Sequence, residues 1–398
     1  MASILFAWEL GGDYGHLSRL LPVALALAGR GHTPVFAVRD LLGAEAILAP
    51  HRIRAFQAPL WLGQVTNLPD PISYPEMLMR FGYLNAKALT GICRAWRHLV
   101  DLLQPGLLVL DHAPTALLAT RGMGLARINL GDGFCIPPRQ RPMPHFRWWQ
   151  RENMLRLNDS EQHAVASANA VMQALDAPPM LGLGELAECD DSLLCTFPEL
   201  DHYPARGQQD YIGPIYSLGQ GAELAWPPGD GPKLFAYLKA GYKGLESVLA
   251  ALHALNASVL VHVPGAARQT LLRFGTGRMQ FSTEPLSMAR MSAGCDLALC
   301  HGGAGTTAAM LLAGKPLLLF PMQMEQAMTA HRLAALGVAS IVAPEATGQL
   351  PRLLKKVLAD AGLAQAARQF AQTHAGYDQH HTIEIAADRC EALLRAPA

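Results

Sequence analysis

The sequence lacks a net charge, paired cysteines and long apolar runs, and each absence removes a class of protein. Its 32 basic and 32 acidic residues balance, so no overall field draws the chain to nucleic acid or to an anionic membrane. Its seven cysteines form an odd set without a CxxC pair, which indicates reduced thiols rather than a zinc site or a disulfide framework. No apolar run reaches the roughly 18 residues of a membrane span, so we expect no integral membrane association.

The first residues and the composition predict a folded cytoplasmic protein. The opening MASILFAWELGG carries Glu9 and only a short apolar run, unlike a secretory signal peptide. With 51% hydrophobic and 16% charged residues, the composition is typical of a folded α/β protein. The chain of 398 residues exceeds what one core usually serves, so two domains are expected, in a monomer or a homodimer.

Alternating strand and helix patterns predict an α/β architecture of two doubly wound, Rossmann-like domains that face a cleft. An apolar run at 4–8, a glycine turn and an apolar-periodic stretch at 17–27 predict strand, loop and helix, and a strand at 34–38 completes a β-α-β unit. A segment rich in proline and glycine interrupts the pattern, which restarts near residue 234. We predict an N-terminal domain at 1–205, a linker at 206–230, a C-terminal domain at 231–375 and a final helix at 376–398 that packs on the first domain.

The segment HGGAGTT, residues 301–307, has the pattern of an anion site. It lies between the apolar strand LALC and the helix AAMLLAG, where backbone N–H groups and the helix dipole face an anion. Its glycines allow close backbone approach, its threonines add hydroxyl donors, and its histidine can direct a ring N–H at the same anion. A diphosphate is the expected ligand of His301, Gly302, Gly303, Gly305, Thr306 and Thr307.

A second polar pair follows the next predicted strand. Glu325 and Gln326 come shortly after Pro321 in PMQMEQ, where a carboxylate beside an amide suits several hydroxyls of a sugar. A glycine turn that only packs a helix on a sheet would not need this pair. Lys239, in the loop after the first strand of the second domain, is a further candidate for phosphate contact.

Residues 301–339, HGGAGTTAAMLLAGKPLLLFPMQMEQAMTAHRLAALGVA, resemble the donor signature of nucleotide-sugar glycosyltransferases, which include plant and bacterial natural-product enzymes. The resemblance implies the two-Rossmann-domain (GT-B) architecture, with an acceptor-binding N-terminal domain and a nucleotide-sugar-binding C-terminal domain. It also implies that His301 binds the donor diphosphate and that Glu325 and Gln326 bind sugar hydroxyls. Leu286 matches the position where relatives contact the base through the backbone.

One position departs from the signature. Many relatives carry a ribose-binding Glu eight residues after the signature histidine, where this chain has Ala309. The change favours a deoxyribose nucleotide, although similar bacterial enzymes lack that Glu without a single donor preference. UDP and dTDP both remain open.

The turn GGDYGH, residues 11–16, resembles the GGxGGH loop of the lipid-linked muramyl peptide N-acetylglucosaminyltransferase, with Tyr14 in place of a glycine. In natural-product enzymes the matching histidine deprotonates the acceptor hydroxyl and an Asp after a later strand steadies it, which implies His16 and Asp111. Such a base is needed because a hydroxyl is a poor nucleophile. Asp13 is the rival base, if desolvation raises the pKa of its carboxyl group.

The expected reaction is a direct displacement with inversion, in which an acceptor hydroxyl attacks the anomeric carbon of a hexose and nucleoside diphosphate leaves. No Asp-x-Asp triplet occurs, so we predict metal independence and no cofactor, with a UDP- or dTDP-sugar as co-substrate. The partners are this donor and a small, partly apolar acceptor such as a phenolic natural product. Aromatic candidates for acceptor contact are Trp61, Phe81, Phe134, Phe146, Trp148 and Trp149.

Three alternatives remain open. The GGDYGH turn is compatible with transfer to a lipid or envelope precursor at the membrane face. A sugar-nucleotide epimerase can use the same architecture, although paired hydroxyl-binding groups favour transfer. A catalytically inactive homologue would bind nucleotide-sugar only, which the retention of both His16 and Asp111 disfavours.

Overall fold

The computed structural model describes residues 1–12, 14–216, 221–343 and 348–395. The chain divides into two compact units, one of Met1–Ile215 with Asp378–Ala398 and the other of Tyr216–Tyr377. Residues 206–215, predicted as part of a linker, belong to the first unit, where Leu194 N–H donates to Asp210 O and Ile212 N–H to Leu194 O.

Both units are built on parallel sheets. Strands of the first unit are β1 (Ser3–Trp8), β2 (Thr33–Val38), β3 (Arg54–Gln57), β4 (Leu107–Asp111), β5 (Ala126–Gly131) and β6 (Asp191–Leu194). Strands of the second are β7 (Lys233–Tyr237), β8 (Ser258–His262), β9 (Met279–Ser282), β10 (Leu297–Cys300), β11 (Leu317–Leu319) and β12 (Ala339–Ile341). Among the described residues the orders are β3-β2-β1-β4-β5-β6 and β12-β11-β10-β7-β8-β9, which are the same doubly wound order.

Helices connect the strands in both units. The first unit contains α1 (Gly15–Gly29), α2 (Leu41–Leu48), α3 (Tyr74–Leu78), α4 (Ala86–Leu103), α5 (Pro114–Thr120) and α6 (Met154–Ala174). The second contains α7 (Leu245–His253), α8 (Arg268–Phe274), α9 (Met288–Gly294), α10 (Ala304–Leu312), α11 (Met324–Ala335), α12 (Leu350–Ala359) and α13 (Ala361–Thr373). The chain then returns to the first unit as α14 (Gln379–Arg395). Within the described ranges, no helix combines the length and the apolar character needed to cross a membrane.

Strand β1 lies at the centre of the core of the first unit, where it packs against α1 and pairs with β2 and β4. Ile4, Phe6 and Trp8 of β1 pack with apolar side chains of α1, and the Phe6 and Phe36 rings stack with centroids 4.9 Å apart. In the register of β1 and β4, Trp8 lies opposite Asp111. The carboxyl ends of these strands therefore meet at one edge of the sheet, beside the start of α1.

The final helix, α14, packs on α1. Its small buried residues Ala386 and Ala387 join the core of the first unit. Arg30, just after α1, contacts Asp388 at 2.7 Å and Glu391 at 3.2 Å, and also pairs with Glu384. Apolar burial fixes the helix, and these partly exposed pairs add little stability because water screens them.

The predicted fold class is confirmed, and helix ends account for most of the differences. The helix after β10 begins at Ala304, four residues before the helix AAMLLAG predicted at 308–314, and the helix after β11 begins at Met324. Gly303 and Gln323, in extended backbone, occupy the N-cap positions. Neither residue caps its helix with a side chain. A prediction from the apolar pattern alone therefore places the start of each helix too far along the chain.

We predict that Phe36→Ala lowers the free energy of unfolding of the first unit by about 3–5 kcal/mol, because it removes a stacked, fully buried ring and leaves a cavity. Urea unfolding followed by tryptophan fluorescence measures the change. Leu42→Ala is the control, since Leu42 is 92% exposed and its loss should leave the curve within experimental error. Equal effects of the two variants would contradict the assigned core.

Candidate active site

His16 is positioned by a turn that only glycine can complete. It lies in the first turn of α1 and is 8% exposed. Gly11 has φ +89°, and a Cβ atom there would fall on Nε2 of His16. A side chain at position 11 would therefore need both a strained backbone and the space that the imidazole occupies.

His16 and Asp111, predicted as a pair, are brought together. Nδ1 of His16 lies 3.0 Å from Oδ2 of Asp111, whose side chain is inaccessible to water. Asp111 ends β4, and Gly131 at the end of neighbouring β5 leaves room for its carboxylate, since a Cβ there would lie 3.2 Å from Oδ1. A proton on Nδ1 leaves Nε2 as the basic nitrogen of the ring.

A buried arginine joins this pair to a second carboxylate. Nη1 of Arg19 donates to Asp111 Oδ1 at 3.0 Å and Oδ2 at 2.9 Å, while Nη2 donates to Asp132 Oδ2 at 2.7 Å. Neither Arg19 nor Asp132 was among the site residues predicted from the sequence. Two signals were available, because Arg19 lies three residues after His16 on one helix face and Asp132 directly follows β5.

The mutual attraction of Arg19, Asp111 and Asp132 keeps all three side chains ionised. Burial alone would raise the pKa of Asp111, but Arg19 and then His16 outweigh it and hold that pKa below its ordinary value. The same balance of burial against Arg19 lowers the pKa of Asp132. Burial opposes the charge of Arg19, yet Asp111 and Asp132 raise the pKa of its guanidinium well above the ordinary value. All three groups are therefore ionised at neutral pH.

A second imidazole, His112, lies beside the pair and was also missed from sequence. Its ring centroid is 5.9 Å from that of His16 and 5.7 Å from that of Phe134. Burial, and then the nearby His16, lower the pKa of His112 to about 3, so this ring stays neutral and is a weak base. Of the two imidazoles, His16 is the one suited to accept a proton.

The same atoms raise the question of a metal ion. His16, Asp111 and Cys135 offer ligand atoms within 4.8 Å of one another. Both oxygens of Asp111, however, accept hydrogen bonds from the Arg19 guanidinium. A cation there would meet a buried positive charge on its principal anionic ligand, so this set fits a proton-transfer pair better than a metal centre.

The aromatic candidates for acceptor contact separate into groups. Phe134 is nearest to the pair through His112, and its centroid lies 5.3 Å from that of Phe146. Phe146 is fully buried, so it supports Phe134 from within the core. Trp61 packs over Gly82, where a Cβ atom would lie 3.0 Å from its indole ring.

The remaining acceptor candidates are Trp148, Trp149 and Phe81. The half-buried Trp148 and Trp149 contact each other edge to face at 5.4 Å, and Phe81 is also half-buried. Their contact with an acceptor stays a prediction. Asp13, the rival base, lies outside the described residues.

In the second unit, the glycine turn after β10 is fixed by its neighbour. Gly302 has φ +91°, and a Cβ atom there would lie 3.1 Å from the backbone oxygen of Gln326. A Cβ at Gly305 would lie 3.1 Å from that of Tyr216. Gly303 is the N-cap of α10, whose first N–H groups have no partner within the helix. The turn predicted for phosphate and the pair predicted for sugar are thus in direct contact.

The ring of His301 is held by the main chain. Nδ1 donates to Phe320 O at 2.7 Å, and Nε2 accepts from the backbone N–H of Lys239 at 2.8 Å. The expected ring N–H toward an anion is therefore not available in this arrangement, because Nε2 is an acceptor. Contact with a diphosphate would require Lys239 N–H to release the ring, and this role of His301 stays a prediction. Lys239 itself is placed beside His301.

Of the two threonines, Thr307 is not placed as expected. It is 2% exposed, and its hydroxyl donates to Gly303 O and Ala304 O, both at 3.0 Å. Its hydroxyl therefore closes the first turn of α10 instead of facing a ligand. Thr306 is half-buried, and its contact with phosphate stays a prediction.

The sugar-binding candidates lie in the first turn of α11. Gln326 is 5% exposed, and its Oε1 accepts from Met322 N–H at 2.9 Å, so its amide nitrogen is the end that a sugar would meet. Glu325 is half-buried. Leu286 forms a bridge with Ala222 through its neighbours Pro285 and Ser287, so its own N–H and C=O take no part in that bridge. This orientation is compatible with backbone contact to a base.

Comparisons with known proteins bear on the fold and the class of enzyme. Residues 246–393 match the model of the erythromycin biosynthesis protein CIII-like C-terminal domain. The "PGL/p-HBAD biosynthesis glycosyltransferase" of Mycobacterium tuberculosis (strain ATCC 25177 / H37Ra) is 24% identical over 326 residues, 75% of this chain and 74% of that protein.

Solved structures of similar fold cover nearly the whole chain. CalG4, the calicheamicin glycosyltransferase, is 17% identical and covers 99% of this chain and 98% of its own, with a TM-score of 0.72. Spinosyn rhamnosyltransferase SpnG, complexed with thymidine diphosphate, is 17% identical and covers 97% and 99%, with a TM-score of 0.71. SpnG is also known with the spinosyn aglycone, at 16% identity, 99% and 100% coverage and a TM-score of 0.66.

The fold and these matches define the class: the chain is a glycosyltransferase of GT-B architecture. Residues 246–393 match the EryCIII-like C-terminal domain, and the solved structures of similar fold include natural-product glycosyltransferases. The resemblance drawn from residues 301–339 is thereby confirmed.

We predict that Gly302→Ala lowers the affinity for dTDP or UDP by about tenfold, since a left-handed backbone costs an L-residue about 1–2 kcal/mol and the turn must shift. Isothermal titration calorimetry measures this affinity. Gly337→Ala is the control, because Gly337 also has positive φ, +71°, but lies beyond α11, and a Cβ there would make only an ordinary contact with Ala366 at 4.0 Å. Equal nucleotide affinities in the two variants would contradict the placement of the donor turn.

Proposed function

We propose that the protein is an inverting, metal-independent enzyme of the cytoplasm that moves a hexose from a UDP- or dTDP-sugar to a hydroxyl of a small, partly apolar acceptor. The observation that carries this proposal is the contact of 3.0 Å between His16 and the buried Asp111. A base near neutral pKa with an anionic partner is what an unactivated hydroxyl requires.

The first unit supplies the proton transfer. Nε2 of His16 takes the acceptor proton as the acceptor oxygen forms its bond to the anomeric carbon. The bond from that carbon to the diphosphate breaks, its electron pair leaves with the nucleoside diphosphate, and the carbon is inverted. The ionised Asp111 stabilises the imidazolium that forms.

The second unit supplies the donor contacts. Negative charge that builds on the leaving diphosphate meets the glycine turn and the N-terminus of α10, which follow β10. Glu325 and Gln326 bind sugar hydroxyls beside that turn, since Gly302 packs on the backbone of Gln326. Contact of SpnG with thymidine diphosphate supports a nucleoside diphosphate as the leaving group here.

The surroundings of His16 favour an acceptor with an apolar ring. The indole of Trp8 stacks on the imidazole of His16 at 5.3 Å, and Tyr74 and Phe134 contact the neutral His112. Stacked aromatic faces prefer planar, partly apolar molecules. The complex of SpnG with the spinosyn aglycone supports an aglycone as the acceptor.

Metal independence rests on Arg19, whose guanidinium occupies both oxygens of Asp111. We expect turnover to persist in EDTA and to gain less than about twofold from Mg²⁺ or Mn²⁺, because the sequence has no Asp-x-Asp triplet to hold a metal ion on the diphosphate. A coupled assay for released nucleoside diphosphate measures the rate. A loss of turnover in EDTA that Mg²⁺ restores would overturn this part of the proposal.

We predict that His16→Ala reduces kcat by about 10²–10⁴-fold with nearly unchanged nucleotide affinity, because the base is lost and the donor turn is intact. His301→Ala should weaken both nucleotide affinity and turnover. His32→Ala is the control, since this partly buried histidine pairs with Glu391 beside α14. Mass spectrometry of donor and acceptor combinations, with calorimetry for the nucleotide, gives both readouts.

Other outcomes would favour the alternatives. Near-wild-type turnover of His16→Ala would make Asp13 the leading base. Product formed from the donor alone would indicate an epimerase, and turnover confined to lipid acceptors in vesicles would indicate an envelope precursor. Nucleotide binding without turnover across a broad acceptor panel would indicate an inactive homologue.

A further inference from the structure

Within the described residues, the network of Arg19, Asp111 and Asp132 beside His16 is not charge-balanced. Arg19 carries one positive charge, while Asp111 and Asp132 each carry a negative one, so the network holds one excess negative charge. All three side chains are nearly inaccessible to water. A proton on His16 would balance the excess, and buried charges couple strongly because water screens them little.

Hydrogen bonds hold the Asp132 carboxylate where its negative charge adds to the excess beside His16. Its Oδ1 accepts from Phe134 N–H at 3.1 Å and Cys135 N–H at 3.2 Å, in the turn after β5. Its Oδ2 faces Arg19 at 2.7 Å. The turn thus determines where the second carboxylate stands, and Arg19 links it to Asp111.

Arg19 also sets the orientation of Asp111. Hydrogen bonds from one guanidinium nitrogen to both oxygens hold the carboxylate in one rotamer, with Oδ2 toward Nδ1 of His16. Arg19 and His16 lie three residues apart on α1, so the helix fixes their separation. The base and the group that orients its partner therefore belong to one rigid element.

We propose that Arg19 and Asp132 are positioning residues of the transfer reaction: Arg19 orients Asp111 toward His16, and Asp132 strengthens His16 as a base. This inference rests on the proposed function of His16. Among the described residues, the other titratable groups near this network are His112, which stays neutral, Cys135, Cys195, which lies close enough to act on Arg19, and His202, which acts on Asp132.

The decisive variant is Asp132→Asn. Neutral His16 is the active form, and a nearby negative charge favours its protonated form, so removing that charge lowers the pH at which the active form appears. We expect the acid limb of the pH profile of kcat/KM to move down by about one unit and the plateau rate to fall severalfold. The ring titration of His16, followed by NMR in protein labelled at histidine, should move in the same direction.

Arg19→Lys separates orientation from charge. The lysine keeps the positive charge but cannot donate to both oxygens of Asp111 in the planar arrangement of a guanidinium. We expect kcat to fall about tenfold with the acid limb within about 0.3 pH units of wild type and donor KM unchanged. This variant also serves if Asp132→Asn does not fold.

Glu76→Gln is the matched control. Glu76 accepts two hydrogen bonds at 2.6 Å from Arg156, a two-pronged pair in the same unit that joins the start of α3 to α6. Its loss should lower the melting temperature and leave the acid limb in place. A merely structural role for Asp132 would give the same result as this control.

Two results would overturn the inference: an unmoved acid limb and His16 titration in folded Asp132→Asn, or wild-type kcat in Arg19→Lys. A failure of the proposed function would give a different result from both of these. In that case no acceptor supports turnover in the wild type, while the His16 titration still reports whether Asp132 acts on the ring.

Discussion

A single guanidinium, shared by two buried carboxylates, is the interaction on which the arrangement of the first unit depends. Arg19 brings the ends of β4 and β5 to α1, because Asp111 and Asp132 lie at those strand ends and Arg19 lies in the helix. Without it, two carboxylates would face each other in a region closed to water, at a cost of several kcal/mol. The same contacts that offset this cost also orient the partner of His16.

In the second unit the corresponding constraint comes from the backbone. Gly302 packs against the main chain of Gln326, and the ring of His301 bonds to the backbone of Phe320 and Lys239. The ends of β7, β10 and β11 therefore meet there, and their side chains have little freedom to move. Backbone N–H groups are the donors best held by such packing. A site of this kind can stabilise a diphosphate without a net positive charge on the protein, which agrees with the balanced composition.

Much of this could be predicted from the sequence because it depends on local patterns. Apolar periodicity and glycine turns predicted both doubly wound units, and the signature from His301 to Gln326 predicted the class of enzyme. The partnership of Arg19 with Asp132 could not be predicted in this way, since 113 positions separate the residues and only the strand order brings them together. Likewise, the residue types of His301 and Thr307 indicated ligand contact, but hydrogen bonds to nearby carbonyl and N–H groups use the same atoms.

The contact of His16 with Gly11 bears on how active and inactive relatives can be told apart. Because the imidazole occupies the space of a Cβ atom at position 11, a homologue can retain both His16 and Asp111 and still be unable to place its base. An alignment scored only on those two residues would count such a homologue as an enzyme. The residue that aligns with Gly11 carries no functional group, yet it decides whether the imidazole of His16 can take this position.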